Sequence, residues 1–350
     1  MTSIEQNKHF TFIHAEDDLA SIINKKANEL FSLLHNFDAS ALEIDDSFKN
    51  YFKDKHLGQR LIFSLQSSAQ IIYQSVKRSG KSIHEINIVD YGAGLGTLYM
   101  LAGMLGFKRI LYNDYLPDWR DTAKTVCESL NIPITAYITG DIDQVLDFAT
   151  SNSFQLDIIA SRNVIEHIYS LPRFYTLIYQ HNKHAVIFST TTANYHNPAM
   201  WFIHYRVHKK IEKLSYFPQR KKILTTKLER INEKSLIDLT KKTRGKAKED
   251  LDKAISDYQQ QKPINAVPFL HTNTCDAETG YWCEHLLKKN EHNQFITQAG
   301  FKMEYSAGFW DTHYKSPMMN IFARVLNKLI SFTGKKGYIF SPFVNVIAYN

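Results

Sequence analysis

Residues 86–97, INIVDYGAGLGT, set a run of strand-forming side chains directly before three glycines at alternate positions, Gly92, Gly94 and Gly96. Ile86, Ile88 and Val89 suit a buried strand. Glycine, lacking a Cβ, takes positive φ and lets a backbone come close to another group. The chain beyond reads as a helix, whose first turn offers unpaired N–H groups and a partial positive charge. Strand, sharp bend and helix N-terminus in this order are the opening of an α/β unit, so the segment constrains the fold more than any other.

The ligand that such a bend suits depends on the residues around the glycines. A dinucleotide fingerprint, G-x-G-x-x-G, needs a third glycine at position 97, where the chain has Thr97. Asp90 stands two residues ahead of Gly92. A carboxylate there favours a ligand with an ammonium group over one with a pyrophosphate. The pattern, two apolar residues, Asp90, Gly92, Ala93, Gly94, Gly96, resembles motif I of the class I S-adenosylmethionine (SAM) dependent methyltransferases.

Three further segments fall in the order a doubly wound sheet requires. RILYND ends at Asp114, with Tyr115 next; ITAYITGD ends at Asp141, with Ile142 next; and FQLDIIASRNVIEHI carries Asp157, Asn163, Glu166 and His167. The resemblance implies that Asp114 accepts hydrogen bonds from the cofactor ribose and that Asp141 lies near the adenine amino group. It further implies that Ile142 covers the ring face and that Tyr115 and Asn163 belong to the same cofactor site. Each residue also has a plain structural reading: Asp114 and Asp141 as loop or helix-capping acids, Glu166 as a first-turn carboxylate, and His167 as an exposed or backbone-bonded ring. The resemblance implies a Rossmann-like, doubly wound seven-stranded sheet whose last strand pair is antiparallel. HAVIFSTTT at 184–192, FKMEYSAGFW from 301 and FVNVIAY from 343 supply the remaining strands.

Two segments rich in His, Asn, Thr, Trp and Tyr, TTTANYHNPAMWFIHYR and HTNTCDAETGYWCEH, are expected at the carboxyl edge of the sheet, where ligands bind in such folds. The second resembles an Asp-x-x-Thr-Gly-x-x-x-x-His segment of bacterial methyltransferases of small molecules and saccharides, through Asp276, Thr279, Gly280 and His285. A hydroxyl acceptor needs a base, so His167, His196 and His285 are the catalytic candidates. The expected activity is therefore methyl transfer from SAM to a small-molecule or saccharide-type acceptor, at oxygen. An RNA methyltransferase and a non-catalytic SAM-fold scaffold are the alternatives.

The rest of the chain divides around this core. Residues 1–80 read as a helical cap, with apolar stripes over Asp17–His35 and Ser47–Arg78, and His56, Gln59 and Arg60 are candidates to line the acceptor pocket. Residues 81–204 form the cofactor core. Residues 205–262 hold 17 Lys or Arg against 8 Asp or Glu, while the remainder has 25 against 27, so the whole basic excess sits in one insertion expected to be a helical lobe. Residues 263–350 complete the sheet. The lobe's aromatics, Tyr205, Tyr216, Phe217 and Tyr258, are too sparse for a base-stacking platform, which disfavours nucleic acid as its partner. Residues 317–332, PMMNIFARVLNKLISF, form a second amphipathic stretch, either packed on the protein or touching a membrane surface as a peripheral contact. Cys127, Cys275 and Cys283 are an odd, unclustered set, consistent with a reducing cytoplasm and with no metal site.

Overall fold

The computed structural model describes residues 9–54, 60–264 and 273–350; His56 and Gln59 lie outside them. Seven strands, β1 (Asn87–Tyr91), β2 (Arg109–Asp114), β3 (Ala136–Thr139), β4 (Ile158–Arg162), β5 (Val186–Thr191), β6 (Lys302–Ala307) and β7 (Val344–Tyr349), form one sheet. Their order is β3-β2-β1-β4-β5-β7-β6. The first five run parallel, and β7 lies antiparallel between β5 and β6. This is the Rossmann-like doubly wound sheet that the sequence led us to expect. Strand order reverses between β1 and β4, which opens a crevice at the carboxyl ends of those strands.

Helices cover both faces. On one, α1 (Asp18–His35), α3 (Leu61–Ser79) and α4 (Leu98–Leu105) bury Ile23, Leu30, Leu65, Ile72 and Leu101 against Ile88 and Ile110. On the other, α6 (Ile142–Ser151) and α7 (Leu171–His181) bury Val145, Phe174 and Ile178 against Val89 and Ile159. Asp17 caps α1 by accepting from the Ala20 amide at 2.8 Å. The single stripe expected over Ser47–Arg78 is two helices, α2 (Asp46–Asp54) and α3, and Arg60 is the N-cap of the second. Between β2 and β3 runs α5 (Pro117–Ser129).

The basic insertion is helical, but it does not stand apart from its neighbours in the chain. A single π-turn, Glu212–Tyr216, joins α8 (Pro198–Ile211) to α9 (Phe217–Lys227), followed by α10 (Glu233–Lys242) and α11 (Lys248–Gln259). Leu224, Leu236, Leu239, Leu251 and Ile255 form a small core that also takes in Ala277, from the segment beyond the insertion. Arg220, fully buried, pairs with Glu212, and the Thr274 hydroxyl donates to the same carboxylate. After this segment, α12 (Lys289–Ala299) leads into β6, and α13 (Pro317–Thr333) forms part of the β6–β7 connection.

Candidate functional site

Gly92 and Gly94 take φ of +66° and +51°, as the sharp bend requires. A Cβ on Gly92 would sit 2.6 Å from Val164 Cγ2, so the bend closes tightly on the chain leaving β4. Three of its amides are used within the protein: Ala93 donates to the Asn113 carbonyl at 2.8 Å, Gly96 to the Ala93 carbonyl at 2.9 Å, and Gly94 to Asp114 Oδ2 at 3.0 Å. The other oxygen of Asp114 accepts from the Leu116 amide at 3.0 Å. Asp114 thus ties the end of β2 to the bend, and burial raises its pKa.

The Asp90 carboxylate is buried behind the bend, accepts from the Tyr99 amide at 3.0 Å, and is pushed up to about 7 by burial. Through Oδ2 it satisfies a donor in the first turn of α4, an orphan in any helix. Beside it is a cation that the sequence reading missed. Arg162, at the end of β4, donates to the Ser64 carbonyl at 3.2 Å and to the hydroxyls of Ser64 and Ser68 at 2.9 and 3.3 Å. The same two serines bond the buried Thr97 hydroxyl at 3.0 and 2.8 Å. Ser64 and Ser68 are four residues apart on the apolar face of α3, and that polar interruption was the available signal.

Asp141 is the N-cap of α6, accepting from the Asp143 amide at 3.0 Å in a capping box with Gln144. Burial is the main cause that raises its pKa. Ile142 is buried with Val145 and Leu146 in the core, whereas Tyr115 is largely exposed. Trp119 lies 3.6 Å from the position of a Gly94 Cβ, in edge contact with Phe48 and Tyr51 of α2.

The two segments expected at the acceptor side do meet, on the turn after β4. Asn163 begins that turn at φ +55°, and its Oδ1 accepts from the Thr192 amide at 3.2 Å. The His285 amide donates to the Glu166 carbonyl at 2.8 Å, and the Trp282 amide donates to the His167 carbonyl at 3.3 Å. His167 stacks on Tyr281 with centroids 4.5 Å apart and planes 9° from parallel. Its Nδ1 lies 2.8 Å from the Trp282 carbonyl, which can only accept, so Nδ1 carries the proton and Nε2 keeps its lone pair in the neutral ring. Tyr281 is half-exposed beside the turn, and its pKa is raised, chiefly by burial of the hydroxyl.

Glu166 is buried with neither carboxyl oxygen in a hydrogen bond, and burial, reinforced by Glu284, pushes it up to about 8. The Thr191 hydroxyl and the Thr192 amide lie alongside and offset part of that cost. Glu284, at φ +55°, turns its carboxylate to His204 Nδ1 at 3.6 Å. His285 stacks on Trp282 at 4.0 Å. His196 is drawn into another role: its Nε2 accepts from the Lys289 amide at 3.0 Å, capping α12. That bond uses the lone pair a base would need, and burial with Lys289 and Lys288 lowers its pKa. Asp276 and Thr279 are likewise occupied within their own turn, with Asp276 Oδ1 accepting from the Glu278 and Thr279 amides. Among the described residues no three His, Cys, Asp or Glu side chains converge as metal ligands.

No protein-family model matches the chain, and no curated protein matches it. Among solved structures, it is similar to a magnesium protoporphyrin IX methyltransferase from Synechocystis with bound S-adenosylhomocysteine (SAH), at 10% identity over 87% of this chain and 93% of that one, TM-score 0.40. It is also similar to an S-adenosylmethionine dependent methyltransferase from Mesorhizobium loti, at 13% identity over 80% and 98% of the two chains, TM-score 0.39. A SAM dependent methyltransferase from Archaeoglobus fulgidus aligns at 14% identity over 87% and 100%, TM-score 0.38. Alignments this loose carry no argument, and the fold rests on the strand order itself.

Proposed function

We propose that the chain is a SAM-dependent methyltransferase acting at oxygen on a small-molecule or saccharide-type acceptor. The observation that carries this reading is Asp114 closed against the bend, with the Ala93, Gly94 and Gly96 amides used internally. A pyrophosphate needs free N–H donors at such a turn and is repelled by a carboxylate. A nucleoside with a positive centre and no phosphate suits both conditions.

In this reading Gly92, Ala93, Gly94 and Gly96 form the cradle, and Asp90 supports it from behind through α4. The oxygens of Asp114 each hold one amide and retain a lone pair for a ribose hydroxyl. Tyr115, Asp141 and Ile142 border the base, and Asn163 closes the crevice from β4. When bound, SAM would supply a methyl group on a sulfonium, to be taken by an acceptor oxygen in line with the S–CH3 bond with the thioether SAH as leaving group. His167 Nε2 takes the proton of the acceptor hydroxyl, with the ring held by Tyr281 and its tautomer fixed by the Trp282 carbonyl. Glu166, protonated below about pH 8, adds no charge next to it. Thr192 and Tyr281 give this side a hydroxyl and one aromatic face, which suits a polyhydroxylated acceptor.

The test is calorimetry with SAH on purified protein, followed by methyl transfer to a panel of sugars and phenols. Asp114→Ala is expected to abolish SAH binding. His167→Ala is expected to lower turnover by about 10²-fold or more with SAH affinity unchanged, and His285→Ala by much less. Absence of SAH binding, or binding of a nicotinamide dinucleotide in its place, refutes the reading.

A further inference from the structure

Helix α13 has seventeen residues, of which Ala323 alone is buried. Met318 is 78% exposed and Phe332 89%, and Met319, Ile321, Phe322 and Val325 are exposed as well. Met318, Phe322, Val325 and Phe332 recur at steps of four, three and seven, which aligns them along one side of the helix. A soluble chain rarely leaves so many large apolar side chains together in water unless something covers them.

The charges on the same element restrict what the cover is. Residues 317–333 contain no Asp or Glu; their charged side chains are Arg324 and Lys328, and Lys335 and Lys336 follow at once, all exposed. Helix α8 repeats the pattern, with Phe202, Ile203 and Val207 exposed, no acidic residue, and Arg206, Lys209 and Lys210 interleaved. Arg206 lies over the Phe202 ring at 5.9 Å, a long basic side chain lying along an apolar one.

Topology puts both helices at one end of the molecule. Val344 pairs with Ala307 and with Thr191, so the β6–β7 connection that contains α13 leaves from the level where β5 ends. Helix α8 follows β5 from that level. It is the carboxyl edge, where the glycine bend and His167 lie. Two copies of the chain meeting through α13 across a twofold axis would set Arg324 and Lys328 against like charges with no carboxylate on the helix to neutralise them. Among the described residues no helix is long and apolar enough to cross a membrane. Apolar residues interleaved with basic ones, without acids, on a helix lying at the surface match the interface of a bilayer with anionic headgroups.

We propose that α13, assisted by α8, docks the protein on an anionic lipid surface with the carboxyl edge of the sheet facing the bilayer. The inference is independent of methyl transfer, and its readout is lipid binding alone. The experiment is flotation of the full chain with vesicles of phosphatidylcholine, with and without phosphatidylglycerol. The native protein is expected to float with the mixed vesicles and to release as salt rises. Phe322→Ser with Phe332→Ser is expected to reduce the bound fraction at least tenfold, and Lys328→Glu with Lys335→Glu to remove the preference for phosphatidylglycerol, with circular dichroism unchanged in both. The proposal is overturned if native protein fails to float with either vesicle, or if the phenylalanine pair has no effect while lysine changes in the 221–248 lobe abolish binding. It is equally overturned if ultracentrifugation shows a dimer that the phenylalanine pair dissolves and the vesicles do not compete with.

Discussion

The two halves of the carboxyl edge are built on different principles. The glycine-bend half, from β1 to α6, is held by backbone hydrogen bonds between neighbouring strand ends, with Asp114 and Asp141 capping and tying local turns. The half around His167 is assembled from segments more than a hundred residues apart, by stacked rings and by bonds such as that between His285 and the Glu166 carbonyl. The first needs little beyond its own sequence to take shape. The second depends on the lobe, because Thr274 and Ala277 are fixed to Glu212 and to the lobe core. The region around His167 is thus assembled over long range, whereas the bend is assembled locally.

The widest separation of the two halves is expected from Arg220→Ala. It removes a fully buried side chain and leaves the partly buried Glu212 without that cation, costing roughly 3–5 kcal/mol of local stability. Hydrogen exchange is expected to show faster opening in α9, α10 and 273–288, with SAH affinity unchanged; a loss of SAH binding would break the distinction. Gly92→Val acts on the other side. Positive φ costs a β-branched residue about 1–2 kcal/mol, and the added carbons meet Val164. Calorimetry is expected to show SAH binding weakened about a hundredfold, with part of it restored when Val164→Ala makes room.

A smaller effect should come from Glu166→Gln. Burial raises this acid from 4.5 to about 8, so between those values the folded state holds a proton that the unfolded chain has lost. Native stability therefore falls as pH rises through that window. The variant lacks that dependence. Denaturant titrations should show it gaining on the order of 3 kcal/mol on the native protein from about pH 5 to about pH 8. A constant difference across that range would mean that Glu166 is ionised in the folded state.

What the sequence made legible follows the same division. Strand ends, the bend and the amphipathic helices were readable because periodicity and turn chemistry are local, and the sheet order agreed with the resemblance to motif I. The bond from the Tyr99 amide to Asp90 was not legible because a spacing rule does not say which way a buried carboxylate turns. His196 misled because nothing near it in sequence announces Lys289 as its partner. Arg162 was overlooked because its partners, Ser64 and Ser68, lie almost a hundred positions earlier, on a helix read for its apolar residues alone.

The shared clasp of Glu212, Arg220 and Thr274 has a mechanical corollary. It couples the lysine-rich insertion to the strand of chain bearing Tyr281, the ring on which His167 rests. Through that linkage the setting of the His167 imidazole is tied to a distant part of the chain as well as to the residues beside it.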